Sequence, residues 1–200
     1  MLAGNEEDIA NLVRDNPAAI AIYLSDNFEE NDILKAKTAL SLVTRAHNVQ
    51  ILARDAGLRR DTLYRTFGGR IDPKLGRVLR LLEALNVKAR VTPASRIASP
   101  SAIATRLSQA FAFDDPTDTI RELSTVVKSQ NVTSLARELG IMRTTVYKTF
   151  GGTVDPQLSR VLSLFETFRV RLEVVPSTEP KARPPRPKLG RPRKTLVERP

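Results

Sequence analysis

The chain has 200 residues, 41% of them hydrophobic, with a formal net charge of +10, no cysteine and one histidine, His47. Those counts allow one domain or two small ones with ordinary cores, and they favour a polyanionic partner. They exclude disulfides, cysteine-ligated zinc and any His-based triad or metal cluster within one chain, and no apolar run approaches membrane-spanning length.

The first residues, MLAGNEEDIANLVRD, carry acids early and have no apolar stretch of the secretory kind. A cytoplasmic protein is the expectation. Ile9, Leu12 and Val13 give this segment one or two helical turns, ending near Asn16-Pro17.

From Ala19 onward the chain repeats itself. LARDAG at 52–57 returns as LARELG at 135–140, and TLYRTFGG at 62–69 returns as TVYKTFGG at 145–152. The offset is 83 residues throughout, without a gap from Ala19/Ala102 to Pro93/Pro176. Of those 75 paired positions 34 are identical, which chance does not produce. A period of this length is too long for a solenoid unit and suits a small helical domain. Two units follow, residues 1–93 and 102–177, with 94–101 (ASRIASPS) as linker.

Residues 19–28 are apolar at helical spacing through Ile20, Tyr23, Leu24 and Phe28, with 102–111 as their partner. Breaks at Asn31-Asp32 and Asp114-Asp115-Pro116 cap a second helix at 34–46 and 117–129. Leu40, Val43 and Ala36 form its buried side. Next comes NVQILARDAGLRRDTLYRTF, copied as NVTSLARELGIMRTTVYKTF. A helix over 50–56 carries small Ala53, then Gly57 to end it, then Leu58 under a turn, and Leu63 pointing back inward. The copy has Ala136, Gly140, Ile141 and Val146. Small, glycine, aliphatic, aliphatic at these intervals is what a helix-turn-helix requires sterically.

The following helix, 60–67 and 143–150, is the candidate for recognition. Leu63, Phe67 and Tyr64 are read as inward, with Tyr64 and Tyr147 as core aromatics whose hydroxyls reach the rim. Arg59, Arg60, Asp61, Thr62 and Arg65 are read as outward, as are Met142, Arg143, Thr144, Thr145 and Lys148. Side chains at the start of such a helix meet base edges in the major groove, and flanking cations meet phosphates. Arg60 and Arg143 suit guanine through a bidentate fork. Arg59 and Met142 stand where a capping hydroxyl would be comfortable.

Gly68-Gly69 and Gly151-Gly152 read as helix ends and turns, since they lack the spacing of a phosphate loop. Asp72-Pro73 and Asp155-Pro156 then start a last helix, with Asp as cap and Pro in its first turn. Its apolar stripe is Leu75, Val78, Leu79 and Leu82, repeated as Leu158, Val161, Leu162 and Phe165. Each unit ends in an alternating stretch, VKARVTP at 87–93 and VRLEVVP at 170–176, which reads as a short strand. A lone strand is useless. The two are expected to pair with each other or with those of a second chain. Pairing within the chain makes a pseudo-symmetric dimer whose recognition helices reach successive major grooves.

Residues 178–200 hold eight Lys or Arg, two Glu and six Pro, and read as a disordered basic tail. Within it KLGRPRK resembles an AT-hook, which implies minor-groove contact on A·T-rich DNA by Lys188, Gly190, Arg191, Pro192, Arg193 and Lys194.

The repeated unit resembles the addiction-module antidote family, whose members are phage-repressor-type helix-turn-helix proteins. IAIYLSDNFEENDILKAKTAL, LARDAGLRRDTLYRTFGG and DPKLGRVLRLLEALNVKARV carry the likeness, together with their copies. The resemblance implies a small helical DNA reader, often encoded beside a toxin that it neutralises, with the outward residues named above as its DNA-reading positions.

The expected fold class is all-α: two tandem helix-turn-helix domains, each ending in a short β-strand, plus the tail. The expected function is sequence-specific binding of double-stranded DNA by a transcriptional regulator. An antitoxin or antiactivator that binds a protein, and a non-specific architectural DNA-binding protein, are the alternatives. No cofactor and no membrane partner are expected, and self-association through the strands is the alternative to their pairing within one chain. No convergent acid–base set points to an enzyme.

Overall fold

The computed structural model describes residues 5–94 and 102–178, and these form eleven helices and two short strands. The first repeat runs α2 (Pro17–Phe28), α3 (Ile33–Ala46), α4 (Val49–Asp55), α5 (Arg60–Phe67), α6 (Leu75–Ala84) and β1 (Val87–Pro93), preceded by α1 (Glu6–Val13). The second runs α7 (Ala102–Ala110), α8 (Pro116–Lys128), α9 (Val132–Glu138), α10 (Arg143–Phe150), α11 (Leu158–Thr167) and β2 (Val170–Pro176). The chain is mostly helical, with one small sheet.

Polar side chains set most helix starts, because the first N–H groups of a helix have no partner inside it. Asn16 accepts from the Ala19 N–H at 3.1 Å, with Pro17 in the first turn. Asp32 and Asp115 do the same for α3 and α8, accepting from Leu34 at 2.7 Å and Thr117 at 2.8 Å. Only the first repeat has a helix like α1 among the described residues. The sequence explains this. Helix α3, which α1 packs against, buries Ala39, Leu42 and Ala46. The equivalent positions of α8 are Glu122, Thr125 and Ser129, so its apolar face is narrower.

The strands pair antiparallel within one chain, from Val87 opposite Pro176 to Pro93 opposite Val170. Val87, Ala89 and Val91 face the core from one strand, and Val170, Leu172 and Val174 from the other. At the centre Arg90 lies opposite Glu173, its own repeat counterpart 83 residues on, and their side chains pair at 2.9 Å. Lys74 forms an isolated bridge with Gln157, which is again its counterpart. A two-fold pseudo-axis therefore passes through both pairs.

The halves are interlocked across that axis. Helix α2 packs on β2, and α7 packs on β1. The Ser25 hydroxyl donates to the Val174 carbonyl at 3.0 Å and accepts the Val174 N–H at 2.9 Å, sealing the outer edge of β2. Asn31 adds a bond from Nδ2 to the Val170 carbonyl, and Lys88 of β1 pairs with Asp114 after α7 at 2.8 Å. Buried apolar residues of both repeats form one continuous cluster.

The Asp-Pro pairs act differently from the sequence expectation. Asp72 does not cap α6, and Asp155 does not cap α11; those helices start after Lys74 and Gln157 without a side-chain cap. Each aspartate instead reaches across the pseudo-axis. Asp72 accepts from the N–H of Ser159 at 3.2 Å and from its hydroxyl at 2.6 Å. Asp155 accepts from the Gly76 N–H at 2.9 Å. The backbone reinforces this exchange, with Leu75 N–H on the Pro156 carbonyl and Leu158 N–H on the Pro73 carbonyl, both at 2.8 Å. Close apposition of the two helix starts puts the partner's carboxylate nearer than the helix's own. Gly76 matches this crowding, because a Cβ there would sit 2.9 Å from Asp155 Oδ2.

Three stability outcomes follow, all read by urea unfolding. Asp155→Ala, which strands the Gly76 N–H, should cost about 1 kcal/mol, and Asp72→Ala, which loses two bonds, about 1–2 kcal/mol. An unchanged midpoint in both variants would contradict the exchanged caps. Arg169 holds a left-handed φ of 53°, where its counterpart Asn86 has 58°. Asn tolerates that region better, so Arg169→Asn should raise stability by up to about 1 kcal/mol, and a lowered midpoint would contradict this.

Candidate nucleic-acid interface

Asn48 starts α4 by accepting from Gln50 and Ile51, and Asn131 starts α9 by accepting from Thr133 and Ser134. Both helices end at a glycine with φ of +63°, Gly57 and Gly140. The chain then folds back, with Leu58 N–H on the Ala53 carbonyl at 2.8 Å and Ile141 N–H on the Ala136 carbonyl at 3.0 Å. Ala53 and Ala136 are buried and small, so the next helix crosses closely. That helix is pinned from below by Leu63 and Phe67 in α5, and by Val146 and Phe150 in α10.

The residues singled out from sequence come together on the opposite side. Arg59, Arg60, Asp61 and Arg65 are exposed and Thr62 is half-buried. Met142, Arg143, Thr144 and Lys148 are exposed, and Thr145 is half-buried like its counterpart. Arg59 and Met142 precede their helices without a capping side chain, and Met142 is 73% exposed. Arg59 instead pairs with Asp61 at 3.2 Å, a link the second repeat cannot make because Thr144 replaces the acid.

The tyrosines are not core residues. Tyr64 is 47% and Tyr147 43% exposed. Helical geometry gives the reason. Leu63 and Phe67 are four apart and share the inward face, which turns Tyr64 about a quarter-turn away from it. Thr66 takes the remaining buried position and accepts from Arg77 Nη1 at 3.1 Å. Each tyrosine ring then lies under an arginine one turn earlier, Arg60 at 5.8 Å over Tyr64 and Arg143 at 5.6 Å over Tyr147. Arg143 Nη2 also reaches the Tyr147 hydroxyl at 3.4 Å. These contacts hold the guanidinium groups along the helix surface rather than leaving them free to sweep through solvent. The Arg-to-Tyr spacing of four, visible in both copies, was the signal for this arrangement.

The chemistry on offer is recognition by charge and hydrogen bonding. Among the described residues no cluster of His, Cys, Asp or Glu is arranged to hold a metal ion, and no helix is long and apolar enough to cross a membrane. The tail positions Lys188, Gly190, Arg191, Pro192, Arg193 and Lys194 lie outside the described residues.

Comparison with known proteins agrees with the internal repeat. The family described as "Probable addiction module antidote protein" matches this chain twice, over residues 5–93 and again over 90–176. A protein of Haemophilus influenzae, described as an uncharacterized protein, is 35% identical over 72 residues, which span 36% of this chain and 74% of the relative. No solved structure matches the chain. With two successive matches that together span nearly all of its described residues, the chain belongs to the addiction module antidote family as a tandem duplication of the family's unit.

Proposed function

We propose that this protein is a regulator that binds double-stranded DNA at a specific sequence, with α4–α5 and α9–α10 serving as two helix-turn-helix readers. One observation carries the reading. Two short helices, each with an exposed cationic face braced on a tyrosine, are related by a pseudo-axis inside a single chain. A symmetric pair of readers matches two half-sites in successive major grooves, about 34 Å apart on one face of the duplex.

In this reading residues 1–93 and 102–177 are the two reading units. Arg60 and Arg143 fork onto guanine O6 and N7, and Thr62 and Thr145 contact a base edge or phosphate. Arg59, Arg65 and Lys148 supply phosphate contacts. Asp61 accepts from a cytosine amino group, where Thr144 offers only a hydroxyl. Met142 presents an apolar surface suited to a thymine methyl. The half-sites are therefore related but not identical. The tail adds attraction through the minor groove, and the site of action is the cytoplasm, on the chromosome.

Family membership supports a second reading, an antidote that binds a protein toxin. Both readings hold together if the toxin binds away from α5 and α10. Co-purification with the product of an adjacent small gene tests it, and a neighbour that never co-purifies counts against it.

Random-site selection with the full chain tests the first reading. It should return a motif of two unequal half-sites. Arg60→Ala should cost about 1–3 kcal/mol and relax one position of one half-site only. Deleting residues 178–200 should weaken binding to all sequences and lower the salt slope while leaving the motif unchanged. A selection that returns no motif, or one indifferent to Arg60, would overturn the reading.

A further inference from the structure

We infer that the first repeat carries a second DNA contact, made by Arg70 and Lys74 to the minor groove at the centre of the operator; this rests on the DNA-reading function proposed above. The pseudo-axis leaves the molecule at two ends, the Lys74–Gln157 bridge and the Arg90–Glu173 pair. Helices α6 and α11 separate them, each spanning about 15 Å. The bridge end belongs with α5 and α10, because the Gly-Gly turns after those helices lead directly into it. Ile71 and Pro73 line one small crevice with Phe67 and Thr66 of α5, and Arg77 of α6 donates to Thr66. The sheet end belongs with α2 and α7.

A duplex that offers successive major grooves to α5 and α10 must present its minor groove midway between them, because the grooves alternate along one face. The axis passes through that midpoint. Whatever lies at the bridge end of the axis therefore faces the central minor groove. Two exposed cations and two exposed aliphatics are there. Arg70 and Lys74 are exposed and have no ion-pair partner among the described residues. Ile71 and its counterpart Val154 are each 46% exposed. Cations satisfy the negative potential of a narrow minor groove, and aliphatic side chains suit its sugar edges.

The two arginines of α6 face other groups, whereas Arg160, the α11 counterpart of Arg77, is exposed. Arg77 is bonded to Thr66, and Arg80 faces Asp115. The Asp115 carboxyl is held below its ordinary range first by the Thr117 N–H and hydroxyl, then by Arg80 and Arg121. The contact is also one-sided. Where the first repeat has Arg70 and Lys74, the second has Thr153 and Gln157. The operator centre is therefore gripped more strongly from one half, which gives the complex a preferred direction on the DNA.

The test uses the full chain, the motif found by selection, and the double variant Arg70→Ala/Lys74→Ala. These side chains are exposed and the bridge uses backbone atoms, so the thermal midpoint should stay within a degree or two of wild type, about the effect of an ordinary surface change. The salt slope should fall by roughly 0.9 per cation removed. Hydroxyl-radical protection of the central minor groove should disappear while both half-site footprints remain. Replacing central A·T pairs by G·C should weaken the wild type and leave the variant indifferent. The converse variant, Thr153→Arg/Gln157→Lys, should raise the slope. If the double variant keeps its central protection and salt slope while the Arg60→Ala control loses its half-site, the central contact is wrong and the major-groove reading stands. If the wild-type protein protects no half-site at all, the underlying DNA reading fails and takes this inference with it.

Discussion

An isolated strand exposes a row of hydrogen-bonding groups on each side, and neither half of this chain can satisfy its own. β1 completes its inner edge only with β2. The outer edge of β2 is closed by Ser25, from the opposite half. The helix starts at Leu75 and Leu158 are each completed by an Asp-Pro pair from across the pseudo-axis. A buried backbone group without a partner costs as much as a lost hydrogen bond, so the separated halves would be short of several at once. The apolar face of each strand adds to this, since burying one Val or Leu side chain contributes about 1.5–3 kcal/mol. What looks in sequence like two consecutive units is held as one interlocked pair, and the geometry between α5 and α10 is built into the fold.

Duplication inside one chain also allows the halves to diverge, which a homodimer cannot do. The differences lie where two-fold symmetry would be a constraint. Arg59 and Asp61 form a pair that Met142 and Thr144 do not. Gly76 leaves room for Asp155, whereas Ser159 donates its hydroxyl to Asp72. α3 has a wider apolar face than α8 and a helix, α1, to cover it. Residues that maintain the framework changed little. Leu75 and Leu158, Val78 and Val161, and Pro73 and Pro156 are identical pairs and all are buried.

Much of this was legible in sequence, because helix and strand periods are local properties. Both strands fall on the expected residues, and the helices of the two repeats start within two residues of expectation, while α1 ends at Val13, short of Asn16. Gly57 and Gly140 hold the positive φ that a turn needs. The misreadings have two causes. Tyr64 and Tyr147 lie in eight-residue helices, where two turns constrain the inward face poorly and a large aromatic looks like core. Only the Arg-to-Tyr spacing betrayed the outward placement. Asp72 and Asp155 looked like caps for the helices that follow them, and capping is what they do, but for the other repeat. Nothing within one copy of the sequence encodes that exchange, which depends on contacts 79 and 87 residues apart. Arg70 and Lys74 escaped notice for the same reason, since their position on the pseudo-axis exists only once the halves are assembled.

The most direct test of the central claim, that one chain already contains both readers, is the stoichiometry of the complex by native mass spectrometry on a duplex carrying the selected motif. The account predicts one chain per duplex at saturation, with no larger species when the protein is in modest excess. Two chains on one motif, or a free protein that is a dimer through exchanged strands, would contradict it.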